Sequence, residues 1–130
     1  MFLSSLLYCC MKKLLLILTL TSLIVLAGCA KNSAIDESGY TPEQTEKLAQ
    51  CLTDKGIAMY GTTRCPHCQN QKARFGDAAD LITFIDCDES RIQCQAAWVE
   101  GFPTWITPDG QKYSGDQPLE SLATIGACEL

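Results

Sequence analysis

Two cysteines three residues apart, Cys65 and Cys68, stand where a short apolar run ends and a helical segment begins. The apolar run, residues 57–60, has no polar face and is too short for a helix, which predicts a strand covered on both sides. Residues 66–75 form the predicted helix. Thiols at this spacing share one helix face, and the unpaired N–H groups at the helix start favour a thiolate on Cys65. Cys65 is therefore a candidate nucleophile, and Cys68 is the thiol that would resolve its mixed disulfide.

The remaining segments complete the order helix, strand, helix, strand, helix, hairpin, helix. The first helix starts at a capping box between Thr41 and Gln44, with Pro42 at its first position, and runs to about Lys55 before Gly56. The later elements are a strand at residues 81–85, a helix at 92–100 halted by Gly101, a hairpin of strands 104–107 and 111–114, and a last helix at 118–127.

The N-terminal region is typical of a secretion signal. A basic pair, Lys12-Lys13, precedes the apolar residues 14–28, which are short for a membrane-spanning helix of roughly 20 residues. The segment ends in Leu26-Ala27-Gly28-Cys29, which resembles the lipobox of bacterial lipoproteins. The resemblance implies cleavage before Cys29 and lipid on its sulfur. Because Ala30 follows and not Asp, it also implies export to the outer membrane of the bacterial envelope, facing the periplasm.

An uncleaved signal anchor is the alternative, and both place the rest of the chain outside the cytoplasm on a membrane. Because residues 1–10 precede a complete signal, Met11 is a second candidate start. The predicted organisation is a signal peptide at residues 1–28, a polar tether at 29–40 and one compact domain at 41–130. The net charge of −5 becomes two units more negative once the signal is removed, which argues against nucleic acid as a partner.

An even set of cysteines in an exported domain of this size favours disulfides over free thiols. Six remain after the signal and Cys29 are set aside, and these allow fifteen pairings: Cys51, Cys65, Cys68, Cys87, Cys94 and Cys128.

The element order, the CxxC motif at the first strand-to-helix junction and Gly101-Phe102-Pro103-Thr104 before the hairpin together resemble the thioredoxin fold, an α/β fold with a central four-stranded mixed sheet flanked by helices. The resemblance implies that Pro103 is preceded by a cis peptide bond and packs against the CxxC motif. That arrangement would free the backbone beside Cys65 to pair with an extended substrate chain. Phe102, Pro103 and Thr104 are the implied substrate-binding residues.

A narrower resemblance covers about residues 41–130. Its motifs are Cys51-Leu52 with Lys55-Gly56, Met59-Tyr60-Gly61, Cys65-Pro66-His67-Cys68-Gln69, Gly101-Phe102-Pro103-Thr104-Trp105 and Gly126-Ala127-Cys128. Together these resemble the thioredoxin-like domain associated with bacterial and plant homologues of vitamin K epoxide reductase. Such domains exchange disulfides between substrate proteins and a quinone-linked membrane enzyme, which would here be a separate partner.

Two positions depart from the thioredoxin pattern. Arg64 stands where thioredoxins usually carry Trp, and Met59 where they carry a buried carboxylate. Without that proton acceptor Cys68 must exchange its proton with water or another group, which weakens a reductant more than disulfide exchange as such.

The residues between and beside the two thiols are candidates for tuning their reactivity. The Pro66-His67 dipeptide resembles the variant seen in strongly oxidising periplasmic thiol oxidases, and a stabilised thiolate makes the disulfide a better oxidant. Arg64 would add positive charge, although an exposed Arg64 or a solvated His67 without effect is the alternative for each. Zinc at the motif is disfavoured because adjacent His67 and Cys68 cannot easily close one tetrahedron. We predict no metal and no cofactor.

The other cysteines are candidates for disulfides. The resemblance implies a Cys87–Cys94 bond after the second strand, with a structural role or a relay of electrons to Cys65. Cys51 and Cys128 are left to pair by elimination, with two buried free thiols as the alternative. Trp98, Phe102 and Trp105 are expected to be mostly core, with Phe102 the first candidate to touch substrate.

These features predict an extracytoplasmic, lipid-anchored protein disulfide oxidoreductase that acts on protein thiols, as an oxidant recycled by a membrane partner. The alternatives are a reductase or isomerase kept reduced by a membrane donor, and a metal-binding or redox-silent adaptor on the same fold.

Overall fold

A computed structural model describes residues 39–130 of the chain. The predicted signal peptide, the predicted lipidation site at Cys29 and residues 29–38 of the predicted tether lie outside the described residues. Within residues 39–130, none of the helices combines the length and the apolar character needed to cross a membrane.

The described residues form helices and strands in the predicted order. They are α1 (Pro42–Asp54), β1 (Ala58–Gly61), α2 (Pro66–Phe75), β2 (Thr83–Asp86), α3 (Arg91–Ala96), β3 (Thr104–Ile106), β4 (Lys112–Ser114) and α4 (Leu119–Gly126), with a 3₁₀ helix at Gly76–Leu81 between α2 and β2.

The strands form one sheet in the order β2-β1-β3-β4. Strands β1 and β2 are parallel, whereas β3 is antiparallel to both of its neighbours. The parallel pair is joined by a crossover through α2, and the antiparallel β3–β4 pair is a hairpin. A four-stranded mixed sheet flanked by helices is the thioredoxin-like α/β architecture predicted from the sequence, and that prediction is confirmed.

Helix α1 begins and ends at signals that are visible in the sequence. At its start the Thr41 hydroxyl accepts from the Gln44 backbone N–H while the Gln44 side chain accepts from the Thr41 N–H, which completes the predicted capping box. At its end the Ile57 N–H donates to the Leu52 carbonyl and Gly56 takes a positive φ of 70°. This left-handed turn is the reason that Gly56 ends the helix.

The core lies between the sheet and the helices. Met59 on β1 is fully buried and pairs in register with Phe84 on β2 and Trp105 on β3. The buried residues of the core come from α1, β1, α2, β3, α4 and the segments beside them: Leu48, Ala49, Leu52, Ile57, Met59, Phe75, Ala78, Ile82, Trp105, Leu119 and Leu122. The core therefore includes Met59 at the centre of β1, and the last residue of this strand leads into the CxxC loop.

Helix α3 is shorter than predicted, because it ends at Ala96 and does not continue to residue 100. The Trp98 N–H donates to the Gln95 carbonyl, the Val99 N–H donates to the Cys94 carbonyl, and Trp98 has a φ of +52°. These bonds form a Schellman motif with Trp in the place that glycine usually takes. The expectation that Trp98 is mostly core was also wrong, since the residue is 76% exposed.

Candidate active site

Cys65 occupies the N-cap position of α2 and is partly exposed. Pro66 fills the first helical position, where its missing N–H leaves no bond unmade. The Cys65 carbonyl accepts from the Gln69 N–H at 3.0 Å, and the Cys65 thiol lies 3.6 Å from the carbonyl oxygen of Phe102. The first cysteine of the motif thus stands at the open end of a helix, beside the loop that carries Pro103.

Cys68 lies one turn further into α2 and is 1% exposed. Burial raises the pKa of the Cys68 thiol to about 11, and a hydrogen bond with Cys65 adds to the rise, whereas a backbone hydrogen bond from Thr62 opposes it. The structure holds both residues as free thiols. The two sulfurs therefore differ in role: Cys65 is open to a partner, and Cys68 is protonated and shielded behind it.

The peptide bond between Phe102 and Pro103 is cis, as the resemblance implied. Pro103 is buried, and its carbonyl accepts from the Gly115 N–H at 2.8 Å. Thr104 is 1% exposed and its hydroxyl donates to the Gly101 carbonyl, so its side chain is turned away from solvent. Of the three residues predicted to bind substrate, Phe102 alone offers surface, with 39% of it exposed.

The side chains of Arg64 and His67 each lie beside a carboxylate. The Arg64 guanidinium donates to both carboxylate oxygens of Asp88, from Nε to Oδ2 at 3.2 Å and from Nη2 to Oδ1 at 3.1 Å. His67 Nδ1 lies 3.3 Å from Oδ1 of Asp116, which also approaches Arg74. The positive charge of Arg64, which was expected to act on Cys65, is therefore paired with the carboxylate of Asp88. Neither Asp88 nor Asp116 was singled out from the sequence, because both lie far from the motif along the chain.

The remaining four cysteines of the described chain form two disulfides. Cys87 is joined to Cys94, seven residues away, and Cys51 is joined to Cys128, 77 residues away. The Cys87 N–H donates to the Gly61 carbonyl at 2.8 Å, which places the smaller disulfide loop against the end of β1. The larger one ties α1 to the segment after α4.

Two further residues shape the site and were not assigned a role from the sequence. A side chain at Gly61 would overlap the sulfur of Cys68, so only glycine leaves room for the thiol. Gln71 is fully buried, and its Oε1 accepts from the Trp105 indole N–H and from the Gln117 N–H. Its place on the buried stripe of α2 between Cys68 and Phe75 is a signal that could have identified it.

The next feature of the site is its supply of side chains that bind metals. Across residues 39–130, His, Cys, Asp and Glu side chains nowhere gather in a group of three or more that could hold an ion. The chemistry that the arrangement offers is that of a thiol pair, in which one sulfur is accessible and the other adjoins it.

Comparison with known proteins finds similar proteins both in sequence and in structure. No protein-family model matches the chain. The thiol-disulfide oxidoreductase LTO1 of Arabidopsis thaliana is 38% identical over 92 residues, which cover 64% of this chain and 24% of that protein. The chain thus matches about a quarter of the length of this curated relative. Thioredoxin from Aeropyrum pernix is similar with a TM-score of 0.42 and 19% identity, over 68% of this chain and 82% of that one.

Proposed function

We propose that this chain is a thiol-disulfide oxidoreductase that exchanges a Cys65–Cys68 disulfide with protein substrates. The observation that carries the proposal is the pairing of a partly exposed Cys65 with a buried Cys68. The sulfur of Cys65 lies 3.6 Å from the carbonyl oxygen of Phe102, next to the cis proline Pro103. The 38% identity to a plant protein named as a thiol-disulfide oxidoreductase supports it.

In the proposed reaction a substrate thiolate attacks Sγ of Cys65. The Cys65–Cys68 bond breaks, its electron pair passes to Cys68, and Cys68 takes a proton from water. A second substrate thiolate then attacks the substrate sulfur of the mixed disulfide, and Cys65 leaves as a thiolate. The substrate dithiol is oxidised to a disulfide, and the cysteine pair of the enzyme is reduced.

The oxidant direction is favoured by the environment of Cys68. A reductant needs Cys68 as a thiolate to resolve the mixed disulfide, yet burial raises the pKa of this thiol to about 11. Met59, fully buried, stands where a carboxylate would otherwise accept the proton. A protonated Cys68 attacks slowly, which leaves time for the second thiol of the substrate to complete its own disulfide.

We further propose that the domain works outside the cytoplasm on a lipid anchor at Cys29, on the periplasmic side of the outer membrane. A separate quinone-linked membrane partner of the vitamin K epoxide reductase type would reoxidise it. The lipobox-like segment supports the anchor. The disulfides Cys51–Cys128 and Cys87–Cys94 are of the kind that persists in oxidising compartments.

Trapping tests the proposal. A Cys68→Ala variant should accumulate mixed disulfides between Cys65 and its substrates, which non-reducing gels and mass spectrometry would identify. The matched control, Cys65→Ala with Cys68 intact, should trap none, because the remaining thiol is buried. Equal trapping by both variants, or by neither, would refute the proposed chemistry.

The redox state of the pair in intact cells tests the direction separately. Rapid acid quenching followed by alkylation should find Cys65 and Cys68 mainly joined to each other. A mainly reduced pair would instead identify a reductase or isomerase.

A further inference from the structure

A lysine lies on the same helix as the buried thiol, one turn beyond it. Lys72 follows Cys68 by four residues on α2, a spacing that places the two side chains on one helix face. Lys72 is half-buried, and its Nζ lies 3.6 Å from the centre of the Phe84 ring on β2. A cation held over an aromatic face at this distance is attracted to the ring, which keeps the flexible side chain in place.

The same aromatic ring borders the position of the Cys68 sulfur. A Cβ at Gly61 would overlap Cys68 Sγ and would lie 3.4 Å from Cε2 of Phe84. Gly61 thus marks a point that the thiol and the Phe84 ring both approach. Lys72 is held over that ring, so its ammonium group lies on the aromatic side chain that also borders Gly61 beside the buried sulfur.

Few other charges act on Cys68. Strand β1 and the loop after it contribute Gly61 and Thr62, and β2 contributes Phe84, none of which ionises. The loop before α2 contributes Cys65, whose thiol raises the pKa of Cys68, whereas Lys72 lowers it. Among the described residues, Lys72 is thus a cation that lowers the pKa of the buried thiol, at a site where Met59 stands in place of a carboxylate.

We propose that Lys72 is a positioning residue for disulfide exchange, whose ammonium group stabilises the thiolate of Cys68. The inference rests on the proposed function, in which Cys68 carries negative charge twice: when it leaves as the Cys65–Cys68 bond breaks, and when it attacks a mixed disulfide in the reverse direction. The proton of Cys68 goes to water and returns from it, so the lysine changes the energy of the thiolate without exchanging a proton.

The experiment measures Cys68 alone. In the full chain carrying Cys65→Ser, the rate of alkylation of Cys68 by iodoacetamide is followed against pH by peptide-resolved mass spectrometry. Lys72→Met keeps the aliphatic stem on Phe84 and removes the charge. It should move the midpoint of the profile to higher pH and slow alkylation at pH 8 by about threefold to tenfold.

Two further variants separate charge from structure. Lys72→Arg keeps the positive charge and should hold the midpoint close to that of the parent. Lys47→Met removes an exposed lysine that pairs with Glu43 on α1, and should leave the profile unchanged. The midpoint is the decisive readout, because a looser fold changes access to Cys68 at every pH but leaves the midpoint in place. If Lys72→Met does not fold, Lys72→Gln provides the same test.

An unchanged midpoint in a folded Lys72→Met protein would overturn the inference. So would a shift of equal size in Lys72→Arg. Either result is independent of trapping by the Cys68→Ala variant, so failure of this inference and failure of the proposed function are distinguishable. If both hold, Lys72→Met should also slow disulfide transfer to a reduced substrate by a similar factor, and Lys72→Arg should restore most of the rate.

Discussion

The two ends of β1 carry cysteine pairs of opposite character. Just before the first residue of the strand, Ile57 and Leu52 pack around Gly126 and the Cys51–Cys128 disulfide. This disulfide joins two cysteines that are 77 residues apart in the chain. Beyond the last residue of the strand, Cys65 and Cys68 are free thiols only three residues apart. In loop-entropy terms a bond across 77 residues restrains the unfolded chain by about 4 to 5 kcal/mol, against about 1.6 for a bond across three.

The difference explains why one pair is suited to structure and the other to chemistry. A bond that contributes much to stability resists opening, whereas a bond within one helical turn can open and close with little effect on the fold. Accessibility acts in the same direction, because Cys65 at the N-cap is reachable by a partner thiol. Length of the closed loop and access to solvent, rather than the cysteines themselves, assign the roles.

The largest effect expected is the loss of exchange activity when Cys65 is removed. Cys65→Ser should lower the rate of disulfide transfer to a reduced protein substrate by at least about a thousandfold, because no other free thiol of the described chain is exposed. Its folding should change little. Retention of transfer by a folded Cys65→Ser protein would mean that the reacting cysteine does not lie at the CxxC end of β1.

The second prediction concerns stability at the other end. Replacing Cys51 and Cys128 together by Ser should lower the free energy of unfolding by about 4 to 5 kcal/mol, measured in urea, while activity per folded molecule stays unchanged. The matched control replaces Cys87 and Cys94 together by Ser. Because the Cys87–Cys94 disulfide spans only seven residues, this variant should lose about half as much free energy of unfolding. Loss of activity in the folded Cys51/Cys128 variant would instead give that disulfide a part in electron transfer.

Local signals in the sequence predicted helices α1 and α2 and the CxxC motif well. The capping box of α1, the span of α2 and the place of the CxxC motif depend on neighbours within a few residues, and the structure has each of them. Local sequence did not predict the end of α3, where the carbonyl of Trp98 accepts from Lys112 Nζ of β4 at 2.9 Å. Bulky residues seldom take a positive φ, so nothing in the local sequence indicates that Trp98 adopts one. Predicting this helix end would have required knowledge of the contact from β4.

The same limit applies to the site. Gln71, Asp88 and Asp116 contact partners that lie far away in the chain, up to 49 residues for Asp116 and His67. Composition gives no sign of such contacts, whereas the CxxC motif identifies itself because its chemistry requires close spacing. The pairing of Cys51 with Cys128 is intermediate: elimination proposed it, and the packing of α1 against α4 brings the two residues together.

A third prediction concerns pH and the buried thiol. Burial raises the pKa of Cys68 from 9.0 to about 11, so the folded, reduced protein keeps this proton to higher pH than the unfolded chain does. Stability from this source is complete below about pH 9 and is lost as pH rises through about 11, by up to about 3 kcal/mol. Urea unfolding from pH 8 to 10.5 should therefore show a steeper decline for the reduced protein than for Cys68→Ser. Parallel curves would show that Cys68 is not shielded as the structure places it.

The smallest effect is expected at the exposed ion pair between Arg64 and Asp88. Both side chains are open to solvent, with 81% and 42% of their surface exposed, so Asp88→Asn should change the free energy of unfolding by less than about 1 kcal/mol. Its effect on chemistry should be easier to detect. Loss of the carboxylate frees the charge of Arg64 beside Cys65, which should speed alkylation of Cys65 at pH 7 by about twofold to threefold at low salt.

Salt and a second variant decide whether that gain is electrostatic. The gain should vanish near 1 M salt, where charges are screened within about 3 Å, and in the double variant Arg64→Gln with Asp88→Asn. A gain that persists in the double variant would come from movement of the loop that follows Cys87, and not from charge. In that case the link between the smaller disulfide loop and the CxxC loop would be mechanical, through the bond from the Cys87 N–H to the Gly61 carbonyl.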